Sequence, residues 1–360
     1  MENQIVDGVE AANFSALNCI DLSNPDIHQT VSLVKQACLD CGFFYIVNHG
    51  ISQEFIEEVF AQSKRMFSLP LSEKMKLLRN EKNRGYIPVF DEHLDPDNQV
   101  HGDYKEGYDI GVEVAEDDPD AEKPFYGPNI WPQQDQLPGW RETMEKFYQQ
   151  ALEVARSLAR IIALALGLER DFFDKPEMLG EPIATLRILH YEGQSDPSNG
   201  IYGAGAHSDF GLITLLATDD VLGLQVRIYS MMIFASITWL REYLFSYLSQ
   251  ICNDKDAKPQ KWEYVAPMKG AFIVNLGDML ERWSNCIFKS TLHRVLANGQ
   301  ERYSIAFFTE PSHDCLVECL PTCTSDKNPP KFPPILCRTY LGQRNKVIQS
   351  DLSIYKKHET

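Results

Sequence analysis

The 360-residue sequence offers no uninterrupted apolar run of the roughly 18 residues that a membrane span needs. One uncharged stretch, Ile228 to Leu240, stops short of that length and runs into Arg241-Glu242. Positive charge is scarce, with 34 Lys and Arg against 51 Asp and Glu and a net charge of -17. Nonspecific nucleic-acid binding neutralises phosphates with clustered Lys and Arg, so this balance argues against it. The N-terminal Met-Glu-Asn-Gln has neither the basic region nor the apolar core of a secretory leader. With nine cysteines, an odd number, the expectation is reduced thiols in the cytoplasm and not a disulfide framework. Cys315-x3-Cys319-x3-Cys323 matches no CxxC pair, so these residues read as ordinary thiols. Internal repeats and low-complexity tracts are absent.

What is present divides into two patterns. The first half is mostly helical. Asn24-Pro25-Asp26 opens a helix capped by Ser23 or Asn24, and Gly42 ends it. Phe43 to Val47 reads as a strand, and Gln53 to Phe67 as a second helix. Trp140 to Leu168 is the strongest helix, with apolar residues at three- and four-residue steps. Glu113 to Glu122 reads as a solvated acidic loop. From Ile183 the pattern changes to short strands with Gly, Pro and Asp turns. The candidates are Thr185–Tyr191, Ala206–Ala217, Leu224–Val226, Trp262–Val265, Ala271–Leu276, His293–Leu296 and Tyr303–Phe308. Helices followed by strands indicate an α+β chain whose second half is an antiparallel sandwich or jelly roll.

The chemistry concentrates in that second half. In a strand, residues two apart share a face. His207-x-Asp209 would therefore present an imidazole beside a carboxylate, and His293 brought over that face would complete two His and one carboxylate. That donor set, with open positions left for substrates, is the one non-haem Fe(II) oxygenases use. Arg302 and Ser304 also share a face. A guanidinium beside a hydroxyl suits a carboxylate, because the guanidinium fork donates two parallel charge-assisted hydrogen bonds. Asn275-x-Gly277-Asp278 reads as a tight turn without chemistry.

Taken together, these motifs resemble the plant-type 2-oxoglutarate- and Fe(II)-dependent dioxygenases, the isopenicillin N synthase-like family. The resemblance runs from Ile20-Asp-Leu and Cys41-Gly-Phe-Phe-Tyr-Ile-Val-Asn48-His49-Gly50 through His207-Ser-Asp209 and Gly270 to Asp278, to His293-Arg-Val and Arg302-Tyr-Ser304. It implies a double-stranded β-helix (jelly roll) core with flanking helices. The segment 1–180 would wrap that core, 181–320 would form it, and 321–360 would be a C-terminal extension. It also implies Fe(II) on His207, Asp209 and His293, with 2-oxoglutarate on Arg302, Ser304 and Tyr191. O2 would be a substrate and ascorbate a possible reductant. No catalytic residue is expected beyond the metal centre. The implied reaction is oxidation, by default hydroxylation, of a small organic metabolite, with release of succinate and CO2. Two departures stand out: Leu189 where relatives often carry a cofactor-contacting asparagine, and Glu192 in place of a common proline.

Tyr86, Tyr108, Phe125, Phe210, Trp283 and Phe308 are candidate substrate-pocket residues, and each could equally be aromatic core. Residues 227–250 fit neither the strand pattern nor the family, since they separate His207 from His293 further than relatives do. They read as an in-frame insertion, with an added amphipathic lid as the alternative and a membrane helix as a remote one. The competing functions are a 2-oxoglutarate-independent Fe(II) oxidase of the same fold and an inactive insertion-bearing isoform. A cytoplasmic monomer without nucleic-acid or membrane partners is expected.

Overall fold

The computed structural model describes residues 14–228 and 261–349. Apart from a small hairpin-like pair, Leu316–Val317 with Ile335–Leu336, its strands in chain order are β1 (Cys19–Asp21), β2 (Phe43–Val47), β3 (Gly85–Ile87), β4 (Glu106–Gly111), β5 (Ile183–Tyr191) and β6 (Ala204–His207). Then follow β7 (Ile213–Thr218), β8 (Leu224–Ile228), β9 (Lys261–Tyr264), β10 (Phe272–Leu276), β11 (His293–Val295) and β12 (Arg302–Glu310). They build two facing sheets. The major one has the order β1-β2-β10-β7-β12-β5-β4-β3, the minor one β6-β11-β8-β9. The first half of the chain thus supplies both edges of the major sheet, and the jelly-roll strands fill its centre.

Helices cover the outer face of the major sheet. Helix α1 (Ile27–Asp40) is capped by Asp26, whose carboxylate accepts from the His28 and Gln29 amides. The cap falls two or three residues later than Asn24 or Ser23, because Asn24 instead accepts from the Asp26 amide and shapes the approach. Gly42 ends the helix at φ +67°, and a Cβ there would meet the Lys289 carbonyl oxygen at 2.0 Å. No other residue type fits that backbone position. Ser52 caps α2 (Gln53–Phe67) through the Phe55 amide, and the short α3 (Leu71–Met75) follows. The 26-residue α4 (Trp140–Ala165) lays Met144, Phe147, Ala151, Ala155, Leu158 and Ile162 against α1, α2 and the sheet.

Side-chain alternation assigns each strand two jobs. On β12, Tyr303, Ile305 and Phe307 enter the helix-covered core, while Arg302, Ser304, Ala306, Phe308 and Glu310 face the space between the sheets. On β5, Leu186 and Ile188 point to the core, and Arg187, Leu189 and Tyr191 to that space.

Two expectations need correction. The single strand Ala206–Ala217 is broken, with β6 ending at His207 and β7 starting at Ile213. The break arises because the Asp278 and Met279 amides donate to the Asp209, Phe210 and Gly211 carbonyls, taking the bonds a continuing strand would use. Asn275-x-Gly277-Asp278 is not a free turn either. Asn275 lies in β10, and Gly277 precedes a short helix, Asp278–Trp283. The acidic stretch is also partly engaged: Glu113 accepts from Asn129 and Trp131 side chains. Of the unusual segment, Arg227 and Ile228 continue β8 and pair with Trp262 and Lys261 of β9. Its remainder, 229–250, lies outside the described residues.

Candidate metal centre and cosubstrate pocket

His207, the last residue of β6, pairs across the minor sheet with His293, the first of β11. Their ring centroids lie 4.3 Å apart. Asp209 sits just beyond the strand end, so the H-x-D pair converges through the turn and not through strand alternation. His207 Nε2 and His293 Nε2 lie 3.7 and 3.5 Å from Asp209 Oδ1.

Every second donor or acceptor of this trio is tied back into the protein. His207 Nδ1 faces the Gly205 carbonyl at 2.8 Å, and His293 Nδ1 faces the Thr291 carbonyl at 3.1 Å. A carbonyl only accepts, so each Nδ1 carries a hydrogen, and Nε2 is the nitrogen that each ring in its neutral form offers to a metal. Asp209 Oδ2 accepts from Thr214 Oγ1 at 2.5 Å and from Asn275 Nδ2 at 2.6 Å, which turns Oδ1 toward the imidazoles. The sequence assigned neither Asn275 nor Thr214 a part in this cluster, and both hold its carboxylate.

The electrostatics agree with a cation site. Burial, then the neighbouring His293, pushes the His207 imidazole down to about 3. Burial alone would raise the Asp209 carboxyl, but His293 and His207 outweigh it and hold it well below the usual carboxylate range. Burial opposes protonation of His293, and Asp209 overcomes that and raises it. Two nitrogens and one anionic oxygen around a common point fit a divalent first-row metal.

The cavity between the sheets opens to solvent and is lined from both of them, by His207, Leu224, His293 and Val295 of the minor sheet and by Arg187, Leu216, Arg302 and Phe308 of the major one. Arg302 is buried in its wall, donates Nε to the Val221 carbonyl at 3.2 Å and lies 5.1 Å from the Tyr191 ring. Its Nη1 is buried without a hydrogen-bond partner. That orphaned cationic donor, beside the buried Ser304 hydroxyl, fits an incoming carboxylate. Tyr191 and Leu189 line the same wall.

Phe125, Phe210 and Phe308 line the cavity, whereas Tyr86, Tyr108 and Trp283 do not. Those three are core residues. The Tyr86 hydroxyl donates to Glu106, the Tyr108 hydroxyl to the Ile130 carbonyl, and Trp283 packs on Phe173. The C-terminal extension contributes a wall that the sequence did not announce. Helix Cys337–Ile348 places Leu341, Asn345 and Ile348 on the cavity, and its Arg344 covers the Phe210 ring at 4.6 Å.

A charged wall was also missed. Arg187 grips Asp109 through two 2.7 Å bonds, and Lys105 bonds Glu92 at 2.9 Å and Asp103 at 2.5 Å. At the end of β12, Glu310 turns into the cavity with Oε2 buried and unpartnered. Burial, reinforced by Asp209, pushes its carboxyl up to about 8.

Two facing sheets, a His-Asp-His cluster between them and a buried arginine beside it define the class: a jelly-roll oxygenase using Fe(II) and 2-oxoglutarate. The chain belongs to the 2OG-Fe(II) oxygenase superfamily. That family's model matches residues 244–311, and the model for the N-terminal region of the non-haem dioxygenase in morphine synthesis matches residues 17–134. Azadirone synthase LFS of Melia azedarach is 48% identical over 330 residues, covering 91% of each chain. Kihadalactone A synthase LFS of Citrus sinensis is 46% identical over 352 residues, covering 97% of each. Among solved structures, a full-length Neurospora crassa protein in complex with alpha-KG and thymine superposes with a TM-score of 0.74 at 28% identity, covering 94% of this chain and 98% of that one. The protein is accordingly an oxidoreductase that uses Fe(II) and 2-oxoglutarate to oxidise a small metabolite.

Proposed function

We propose that His207, Asp209 and His293 hold the Fe(II), that Arg302 and Ser304 receive the distal carboxylate of 2-oxoglutarate, and that the reaction is hydroxylation. When bound, the iron and cosubstrate supply O2 activation and the oxidising power. The chain's own residues do the rest. Carbonyls at Gly205 and Thr291 keep both histidines in the ligating tautomer. Asn275 and Thr214 aim the carboxylate. Arg302 fixes the cosubstrate at one end, with the Tyr191 ring against its guanidinium. Leu189, Leu216 and Val295 keep that region apolar and dry. Phe125, Phe210, Phe308 and the C-terminal helix bound the rest of the cavity, where the metabolite would sit.

The observation that carries this reading is the pairing of three converging lone pairs with the unpartnered Arg302 Nη1 in one cavity. The high identity to azadirone synthase and kihadalactone A synthase makes their substrates, and close structural relatives of these, the first compounds to test. The protein acts as a cytoplasmic monomer in this reading. Among the described residues, no helix is long and apolar enough to cross a membrane. The test is substrate-dependent succinate formation from 2-oxoglutarate in the purified chain, with mass-spectrometric detection of a product heavier by one oxygen. Turnover without succinate, or unchanged turnover after Asp209→Ala, would refute it.

A further inference from the structure

Strands β5 and β12 run antiparallel with Tyr191 opposite Arg302 and His190 opposite Tyr303. Alternation sends Tyr191 and Arg302 into the cavity, so His190 emerges on the other side of the sheet. There its ring stacks on Tyr303, with centroids 4.6 Å apart and planes 14° from parallel. His190 Nδ1 lies 2.8 Å from Glu106 Oε1. The other Glu106 oxygen accepts from Lys74 Nζ at 2.6 Å and from the Tyr86 hydroxyl at 2.5 Å. A lysine-bound carboxylate acts as acceptor, so Nδ1 carries a hydrogen toward Glu106 and the other ring nitrogen, Nε2, is the one left to face outward.

That Nε2 is buried and has no hydrogen-bond partner. It points at Glu301 Oε1, 3.6 Å away. Glu192, two residues along from His190, brings a third ligand atom, and all three lie within 4.8 Å of one another. Among the described residues this is the second of only two such groups, the other being the triad in the cavity. We propose that His190, Glu192 and Glu301 form a separate site for a divalent transition-metal ion of the zinc class, on the far side of the sheet from the oxidation centre.

Three features support the assignment. A histidine whose far nitrogen donates to a carboxylate while the near one faces open acidic oxygens is the arrangement metal-bound histidines adopt. One imidazole and two carboxylates, with water completing a tetrahedron, suit Zn(II) better than the all-oxygen sites Ca(II) and Mg(II) prefer. The local field is negative as well: after burial, Glu301, Glu106, Glu192 and Asp219 push the Tyr303 hydroxyl up to about 12. Two cations lie close by, Lys74 bonded to Glu106 and Lys64 over the Tyr303 ring, and neither forms an ion pair with Glu192 or Glu301.

An ion in this position would tie β5 to β12 beside their cavity-facing neighbours Tyr191 and Arg302. The competing arrangement is a protonated His190 bridging Glu106 and Glu301, with no metal. Calorimetric titration of the metal-free full chain with Zn(II) separates the two. The wild type should take up two equivalents, Asp209→Ala one, the double variant Glu192→Gln/Glu301→Gln one, and the combined triple variant none. Both glutamates are exposed, so the double variant should fold, which circular dichroism checks. Its second-site affinity should fall at least 100-fold. A wild-type chain that binds a single equivalent abolished by Asp209→Ala would overturn the proposal. So would two equivalents retained by the double variant.

Discussion

Glu310→Gln should stabilise the protein, and by more as the pH rises. The wild-type carboxyl is walled in at the end of β12 with an oxygen that nothing satisfies, and burial raises it from 4.5 to about 8. In the unfolded chain it ionises near 4.5, so between these values the native state holds a proton that the unfolded state has released. The unfolded state binds fewer protons there, and wild-type stability therefore falls as pH increases. Each pH unit in that window costs about 1.4 kcal/mol, which gives an upper bound of about 4 kcal/mol near pH 7.5. Glutamine keeps the shape and has no proton to lose. Below about pH 4.5 the wild-type group is protonated in both the folded and the unfolded chain, and the difference should vanish. Urea unfolding of both proteins at about pH 5.5, 6.5 and 7.5 measures it, with the gap expected to widen by about 2 kcal/mol across the series. A constant gap, or a wild type that gains on the variant as pH rises, would refute the reasoning.

Asn275→Ala should weaken Fe(II) binding by about 10–100-fold without unfolding the chain, because Asp209 loses an orienting donor; anaerobic equilibrium dialysis reads this directly. Arg302→Leu removes charge-assisted hydrogen bonds worth about 1.5–3 kcal/mol each, so the 2-oxoglutarate dissociation constant should rise by about 10-fold or more while iron affinity holds. Trp283→Ala should cost about 3–5 kcal/mol of stability and leave the substrate KM unchanged, since that ring packs in the core; thermal melts and steady-state kinetics distinguish this from a pocket role. Replacing residues 229–260 with Asn-Gly should preserve the melting temperature and iron binding, because Ile228 and Lys261 are already paired for a two-residue hairpin turn. Loss of iron binding in that chain would show that the segment contributes to the centre.

The positions of the candidate site were legible where chemistry sits in short motifs on one strand. Arg302 and Ser304 share a face through strand alternation, and the same rule separates Tyr191 from His190. His207 and Asp209 were legible as a pair although the reason was different, because the strand ends between them. Asn275 was not legible: its motif reads as a turn, and only the approach of β10 to the Asp209 loop gives its amide something to hold. Tyr86, Tyr108 and Trp283 could not be told from Phe125, Phe210 and Phe308, since composition does not say which side of a sheet an aromatic ring takes. The charged wall and the C-terminal helix were hidden for a related reason. Lys105 meets Glu92, and Leu341 reaches the cavity, only through the long-range order of the sheets.

The pairing of β8 with β9 separates two properties that usually travel together, the length of the chain and the spacing of its ligands. Ile228 and Lys261 meet as register partners, while two residues earlier Val226 sits beside His293. Whatever chain joins 228 to 261 leaves and returns at one point of the sheet. Doubling such a loop adds only about 0.6 kcal/mol of closure entropy. The paired end of β8 and β9 is therefore a place in the scaffold where a reporter, an affinity handle or a regulatory module could be grafted close to the metal centre, provided the Asn-Gly replacement keeps iron binding.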